Sequence, residues 1–138
     1  MTAGFTCGAF DLLHPGHLHF LHTCITNCDF LFIGLHTNPQ IDRPEKNKPI
    51  QTVFERYMQL YAIMKDGKSR IIPYDTEKDL ENMMATLDID VRFIGGDYID
   101  KIETITGYDI MQKRNISVNV VERYHDYSSS ELRNRIKE

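Results

Sequence analysis

Two histidines straddle a Pro-Gly pair in GAFDLLHPGH, residues 8–17. Imidazoles at that spacing, His14 and His17, suit a metal ion, an anion, or neither. A tetrahedral zinc site needs four ligands of comparable quality, and only Asp11 and the cysteines stand nearby, so no residue is assigned to a metal. The anion reading asks for less. Gly16 allows close backbone approach, and a helix beginning near His17 would present free N–H groups and the positive end of its dipole. Imidazole donors there would stabilise charge developing on a phosphoryl group. His19 and His22 lack the turn and are expected on the helix surface.

Four further segments carry chemistry of the same kind. RPEKNKP places Arg43, Lys46 and Lys48 in one loop, where lysines would neutralise phosphate as mobile point charges. FERYMQL puts Arg56 in the first turn of a helix, a position that the dipole disfavours unless an anionic partner or ligand is near. IGGDY ends an apolar run with two glycines, then Asp97 and Tyr98. The acid suits a nucleotide hydroxyl or exocyclic amine, and the ring suits a base. RYHDYSSSELR supplies Arg123, three hydroxyls at Ser128, Ser129 and Ser130, and Arg133. One serine suffices to cap the helix that follows; three with free N–H groups form a phosphate nest.

These segments need a scaffold that brings them to one edge. Residues 3–8, 29–36, 69–74, 91–96 and 117–122 read as strands, DFLFIGLH being apolar throughout as a doubly buried parallel strand must be. Helical patterns fall at 17–27, 52–65, 77–87 and 108–114 and in YSSSELRNRIKE, with Thr52 and Glu55 forming a capping box. Alternation of this kind predicts an α/β, Rossmann-like three-layer sandwich around a five-stranded parallel sheet, with ligands beyond the carboxyl ends of the strands. Of the polar segments above, all but FERYMQL fall at such ends. The 138 residues suit one domain, 1–138, with an ordinary core. The formal charge of −4 argues against nucleic-acid binding. No apolar run suits a membrane span and the N-terminus lacks a signal-peptide pattern, so a cytoplasmic protein is expected. Cys7, Cys24 and Cys28 follow no disulfide or zinc-ribbon spacing and are expected reduced in the core.

In their order and intervals, GAFDLLHPGH, ERYMQL, GGDY and RYHDYSSSELR resemble the HxGH cytidylyltransferases of the nucleotidyltransferase superfamily. Within that family the chain is most similar to the small bacterial glycerol-3-phosphate cytidylyltransferases. The resemblance implies transfer of CMP from CTP to a small phospho-alcohol, glycerol 3-phosphate first among them, with Mg²⁺ on the triphosphate and a homodimeric assembly. It implies that His14, His17, Lys46 and Arg123 act on the triphosphate and the reacting phosphates. Gly8, Ala9, Phe10, Asp11 and Gly16 would shape the nucleotide turn, Asp97 and Tyr98 would recognise the nucleoside, and Ser128 to Ser130 would hold the β- and γ-phosphates. Lys48 and Arg56 would face the acceptor. Ala9 stands where the family usually has threonine, and Tyr98 where the glycerol-phosphate enzymes commonly have tryptophan. An alternative within the same fold is ATP as donor, as in the FAD-synthetase and heptose-phosphate adenylyltransferase relatives that share the FDxxHxGH turn. A catalytically silent nucleotide-binding module is the alternative of a different kind.

Overall fold

The computed structural model describes residues 1–64, 67–123 and 128–137. Five strands, β1 (Ala3–Gly8), β2 (Phe30–His36), β3 (Ser69–Tyr74), β4 (Val91–Gly95) and β5 (Ser117–Val121), form one sheet in the order β3-β2-β1-β4-β5. Every pairing is parallel. The order reverses beside β1, so the carboxyl ends of β1 and β4 face a crevice, the usual ligand position in such sheets.

The side-chain alternation of the strands divides the core in two. Leu31, Ile33 and Leu35 of β2, with Phe93 and Val121, pack against α1 (Pro15–Thr26) and α2 (Val53–Ile63) through Leu21, Cys24 and Leu60. Phe5, Tyr74 and Ile94 on the opposite face pack against α3 (Glu77–Thr86) and α4 (Tyr108–Lys113) through Leu80, Met84 and Met111. These are the three expected layers. Thr52 with Glu55, and Thr76 with Asp79, close capping boxes at the starts of α2 and α3. The closing helix α5 (Ser129–Lys137) buries no residue and lies against the turn after β1 through Ser129 and Arg133. Between β4 and α4 lie two single 3₁₀ turns, Gly96–Tyr98 and Ile102–Thr104. Cys24 is buried and Cys7 and Cys28 are partly so, all three free thiols; burial pushes the Cys24 and Cys28 thiols upward. Among the described residues, no helix is long and apolar enough to cross a membrane.

Candidate active site

Phe10 and Leu12 both take left-handed φ angles, 50° and 53°, a conformation that costs a non-glycine residue about 1–2 kcal/mol. The intervening Asp11 holds the turn in place. Its carboxylate is 3% exposed and accepts the Ile50 N–H at 2.8 Å, the Gln51 N–H at 2.9 Å and the Arg133 guanidinium at 2.5 Å. Its carbonyl accepts the Ser129 hydroxyl at 2.6 Å, and the Leu12 N–H donates to Gln51 Oε1 at 2.8 Å. Asp11 thus joins three segments far apart in sequence: the turn after β1, the residues before α2, and α5.

The turn delivers His14 to the N-cap of α1. His14 Nδ1 accepts the Gly16 N–H at 3.0 Å and the His17 N–H at 3.4 Å, while His17 Nδ1 accepts the His14 N–H at 3.3 Å. This corrects the expectation of free N–H groups at the helix start. Pro15 has none to offer, and the next two are taken by the N-cap imidazole. The consequence is chemical. An Nδ1 that accepts leaves the proton of a neutral imidazole on Nε2, so both histidines are set as Nε2–H donors. Their rings stack with centroids 3.9 Å apart.

Both imidazoles line a cavity of about 250 Å³ with Gly95, Gly96, Asp97, Arg123, Ser128 and Ser129. The sequence segments at the ends of β1, β4 and β5 therefore do converge. Arg123 pairs with the well-exposed Asp97 at 3.7 Å. Ser128 caps α5 through the Glu131 N–H at 3.0 Å, and Ser129 is bonded to Asp11, so the two hydroxyls have structural partners of their own. Ser130 is exposed and lines neither cavity; the expected nest of three hydroxyls reduces to two at the cavity wall. Tyr124 to Tyr127, the middle of RYHDYSSSELR, lie outside the described residues. Gly95 has φ −73° and ψ 159°, open to any residue, yet a Cβ there would meet nothing within 4 Å. Its lack of a side chain leaves space, which is what close ligand approach to a strand end requires.

A second chamber of about 720 Å³ adjoins the first and shares His17, Phe20, Gly95 and Ser129 with it. Gly8, Ala9, Phe10 and Asp11 line it, as do Lys46 and Tyr98. Lys48, from the same loop as Lys46, is exposed and lines neither cavity. Arg56 departs furthest from expectation. It is 1% exposed, and its guanidinium donates to the carbonyls of Gln51, Ala9, His36 and Thr37 at 2.7–3.1 Å. Four of its five N–H groups are consumed in tying the ends of β1 and β2 to the start of α2, so it positions the walls and lines neither cavity. The anionic partner that the helix dipole demands is supplied by carbonyl oxygens instead.

Sequence reading missed His36, Tyr74 and Arg92, which also line the larger chamber. The signal for Arg92 was present, a charge inside the otherwise apolar strand VRFIGG; His36 and Tyr74 simply end strands. Among the described residues, no three histidines, cysteines or acids gather as a metal site. Asp11 is consumed by the turn, and Glu77 is bound to Arg43 at 3.5 Å and to the Thr106 hydroxyl at 2.5 Å.

A family model described as cytidylyltransferase-like matches residues 5–135. The bifunctional protein HldE of Hyphomonas neptunium is 34% identical over 96% of this chain and 26% of its own length. That of Mesorhizobium japonicum is 30% identical over 88% of this chain and 24% of its own. The chain spans about a quarter of the length of these curated relatives. Among solved structures, the lipopolysaccharide core biosynthesis protein from Thermoplasma volcanium GSS1 matches with a TM-score of 0.66 at 22% identity, covering 93% of this chain and 99% of that one. A protein of unknown function from Archaeoglobus fulgidus matches at 0.64 and 15% identity, covering 93% and 94%. Both likenesses concern the fold.

Proposed function

The chain belongs to the cytidylyltransferase-like family, and from that premise we propose that it transfers a nucleotidyl group from ATP to the phosphate of a small sugar-type acceptor. The acceptor phosphate oxygen forms a bond to the α-phosphorus, the bond from that phosphorus to the bridging oxygen breaks, and pyrophosphate leaves with the electron pair. The nucleophile is already an anion, so neither a general base nor a covalent enzyme intermediate is required. What remains is to hold two anions in line and to stabilise charge on the equatorial and bridging oxygens.

The observation that carries this reading is the pair of stacked imidazoles, both with Nδ1 engaged by backbone, on a cavity bounded by Gly95 and Arg123. Their Nε2–H groups are donors suited to the phosphoryl oxygens. Arg123 borders that cavity in an exposed ion pair with Asp97, of a kind worth about 0–1 kcal/mol, and brings positive charge to the phosphates. Lys46, beside the adjoining chamber, offsets repulsion between the two phosphates. Mg²⁺ bound to the triphosphate would supply further charge neutralisation.

ATP is preferred as donor because the curated relatives above are HldE proteins and not glycerol-3-phosphate enzymes, which favours the adenylyltransferase branch of the resemblance. CTP with glycerol 3-phosphate is the second reading, favoured by the description of the family model. Pyrophosphate release measured with ATP and with CTP, each against a panel of hexose and heptose phosphates and glycerol 3-phosphate, decides between them. ATP with a sugar phosphate is the expected productive pair. CTP with glycerol 3-phosphate as the best pair replaces this reading by the second, and no release with any pair leaves a binding module.

A further inference from the structure

The larger chamber holds more positive charge than its own acids balance. Of its described charged lining residues, Asp11 is paired with Arg133 and Glu77 with Arg43, which leaves Lys46, Arg92 and Lys101 in excess. Lys46 and Lys101 are exposed, but Arg92 is only 5% exposed. Its Nη1 donates to the Thr106 carbonyl at 2.5 Å, its Nη2 reaches the weak acceptor Cys7 Sγ at 3.6 Å, and its Nε has no partner among the described residues. Among the described residues no carboxylate lies within ion-pair distance of it; the ring of Phe5, 6.0 Å away, is its remaining stabilising neighbour. A guanidinium stays charged at any working pH, and a buried, unpaired charge is costly. The adjacent wall carries a second sign of incompleteness. His36, 8% exposed and stacked on Tyr74 at 4.6 Å, has no partner for Nε2 among the described residues.

The face of the sheet, more than height in it, sets this cation apart from the histidine turn. Arg92 is level with Phe5 in the register, three residues short of the carboxyl end of β1 at Gly8, or about 10 Å at the usual strand rise. From that level the side chain climbs toward the edge as far as Cys7, one residue short of Gly8. It also lies on the α3–α4 face, opposite the α1 helix that those histidines open.

We propose that Arg92 anchors a second anionic group of the acceptor, a carboxylate or a further phosphate at the end remote from the reacting phosphate. The assignment rests on nucleotidyl transfer to a phosphorylated acceptor as read above. A planar guanidinium with three N–H groups still unpartnered offers the fork that either oxyanion takes, and the chamber has room for a small phosphorylated acid or bisphosphate.

The test compares matched probes on the whole chain by calorimetric binding: 3-phosphoglycerate against glycerol 3-phosphate, and glucose 1,6-bisphosphate against glucose 1-phosphate. Pyrophosphate release with ATP and with CTP is measured in parallel. At least one doubly anionic member is expected to bind 30-fold or more tightly than its singly anionic partner, and the pair that discriminates identifies the group as carboxylate or phosphate. Arg92→Met, apolar and of similar length, should bring the two within threefold while leaving the singly anionic probe and the melting temperature unchanged. Arg92→Lys, which keeps the charge without the fork, should retain part of the discrimination. Equal binding within both pairs in the native protein, or discrimination that survives both substitutions, overturns the assignment. Discrimination without pyrophosphate release from any nucleotide overturns the transfer reading and leaves the docking assignment standing. Release without discrimination does the reverse.

Discussion

Replacing His14 by asparagine separates its two roles. The N-cap role needs one acceptor at the Nδ1 position, which receives Gly16 N–H at 3.0 Å and His17 N–H at 3.4 Å. Asparagine Oδ1 occupies nearly the same place, and asparagine is among the best N-caps. The backbone N–H of residue 14 keeps its bond to His17 Nδ1. His14→Asn therefore keeps the cap and loses the ring packing on His17, with an expected stability cost below about 1 kcal/mol, or about 4 °C in a chain of this size. His14→Ala additionally loses the cap, about 1 kcal/mol more. Neither variant retains the Nε2–H donor, so kcat should fall by about 10²–10³ in both, equivalent to about 3–4 kcal/mol. Thermal melts of the three proteins and pyrophosphate release at saturating substrates provide both readouts. If His14→Asn keeps kcat within tenfold of the native value, the donor role of Nε2 is refuted. If it melts as low as His14→Ala, the cap role is refuted.

Arg56→Lys offers three donors without the planar fork to a site that presents four carbonyls; stability measured in urea without substrate should fall by about 2–4 kcal/mol, whereas an unaltered denaturation midpoint with a raised acceptor KM would show Arg56 to be an acceptor contact after all. Gly95→Val places methyl groups in space that the protein leaves empty. Its melting temperature should stay within about 2 °C while the nucleotide KM rises at least about tenfold, or about 1.4 kcal/mol; an unchanged KM would remove this strand end from the nucleotide site.

The order of elements was legible because each signal is local. The apolar run DFLFIGLH can only be a strand buried on both faces, and a Thr-x-x-Glu box starts a helix wherever it finds its own backbone. Alternation of strands and helices then dictates a parallel sheet, and a parallel sheet dictates which ends of the strands carry ligands. That is why the segments carrying His14, His17, Gly95, Asp97, Arg123 and Ser129 read as one group from the order of elements alone.

What sequence could not tell was how each polar side chain divides itself between the fold and the cavity. Arg56 and Arg123 are the same residue type, both near strand or helix ends, yet one is bound to four carbonyls of the interior and the other borders the small cavity. Asp11 reads as a turn residue, but it finds Gln51 and Arg133 only when segments 40 and 122 residues away fold onto it. Arg92 stands out as a charge in a strand, and only the assembled α3–α4 wall reveals that no acid among the described residues comes to meet it. Hydrophobic period and capping depend on neighbours within a few residues, so the sequence alone determines them. Donor and acceptor partnerships, and the charge left over after they are made, depend on distances across the chain that exist only once the sheet has closed.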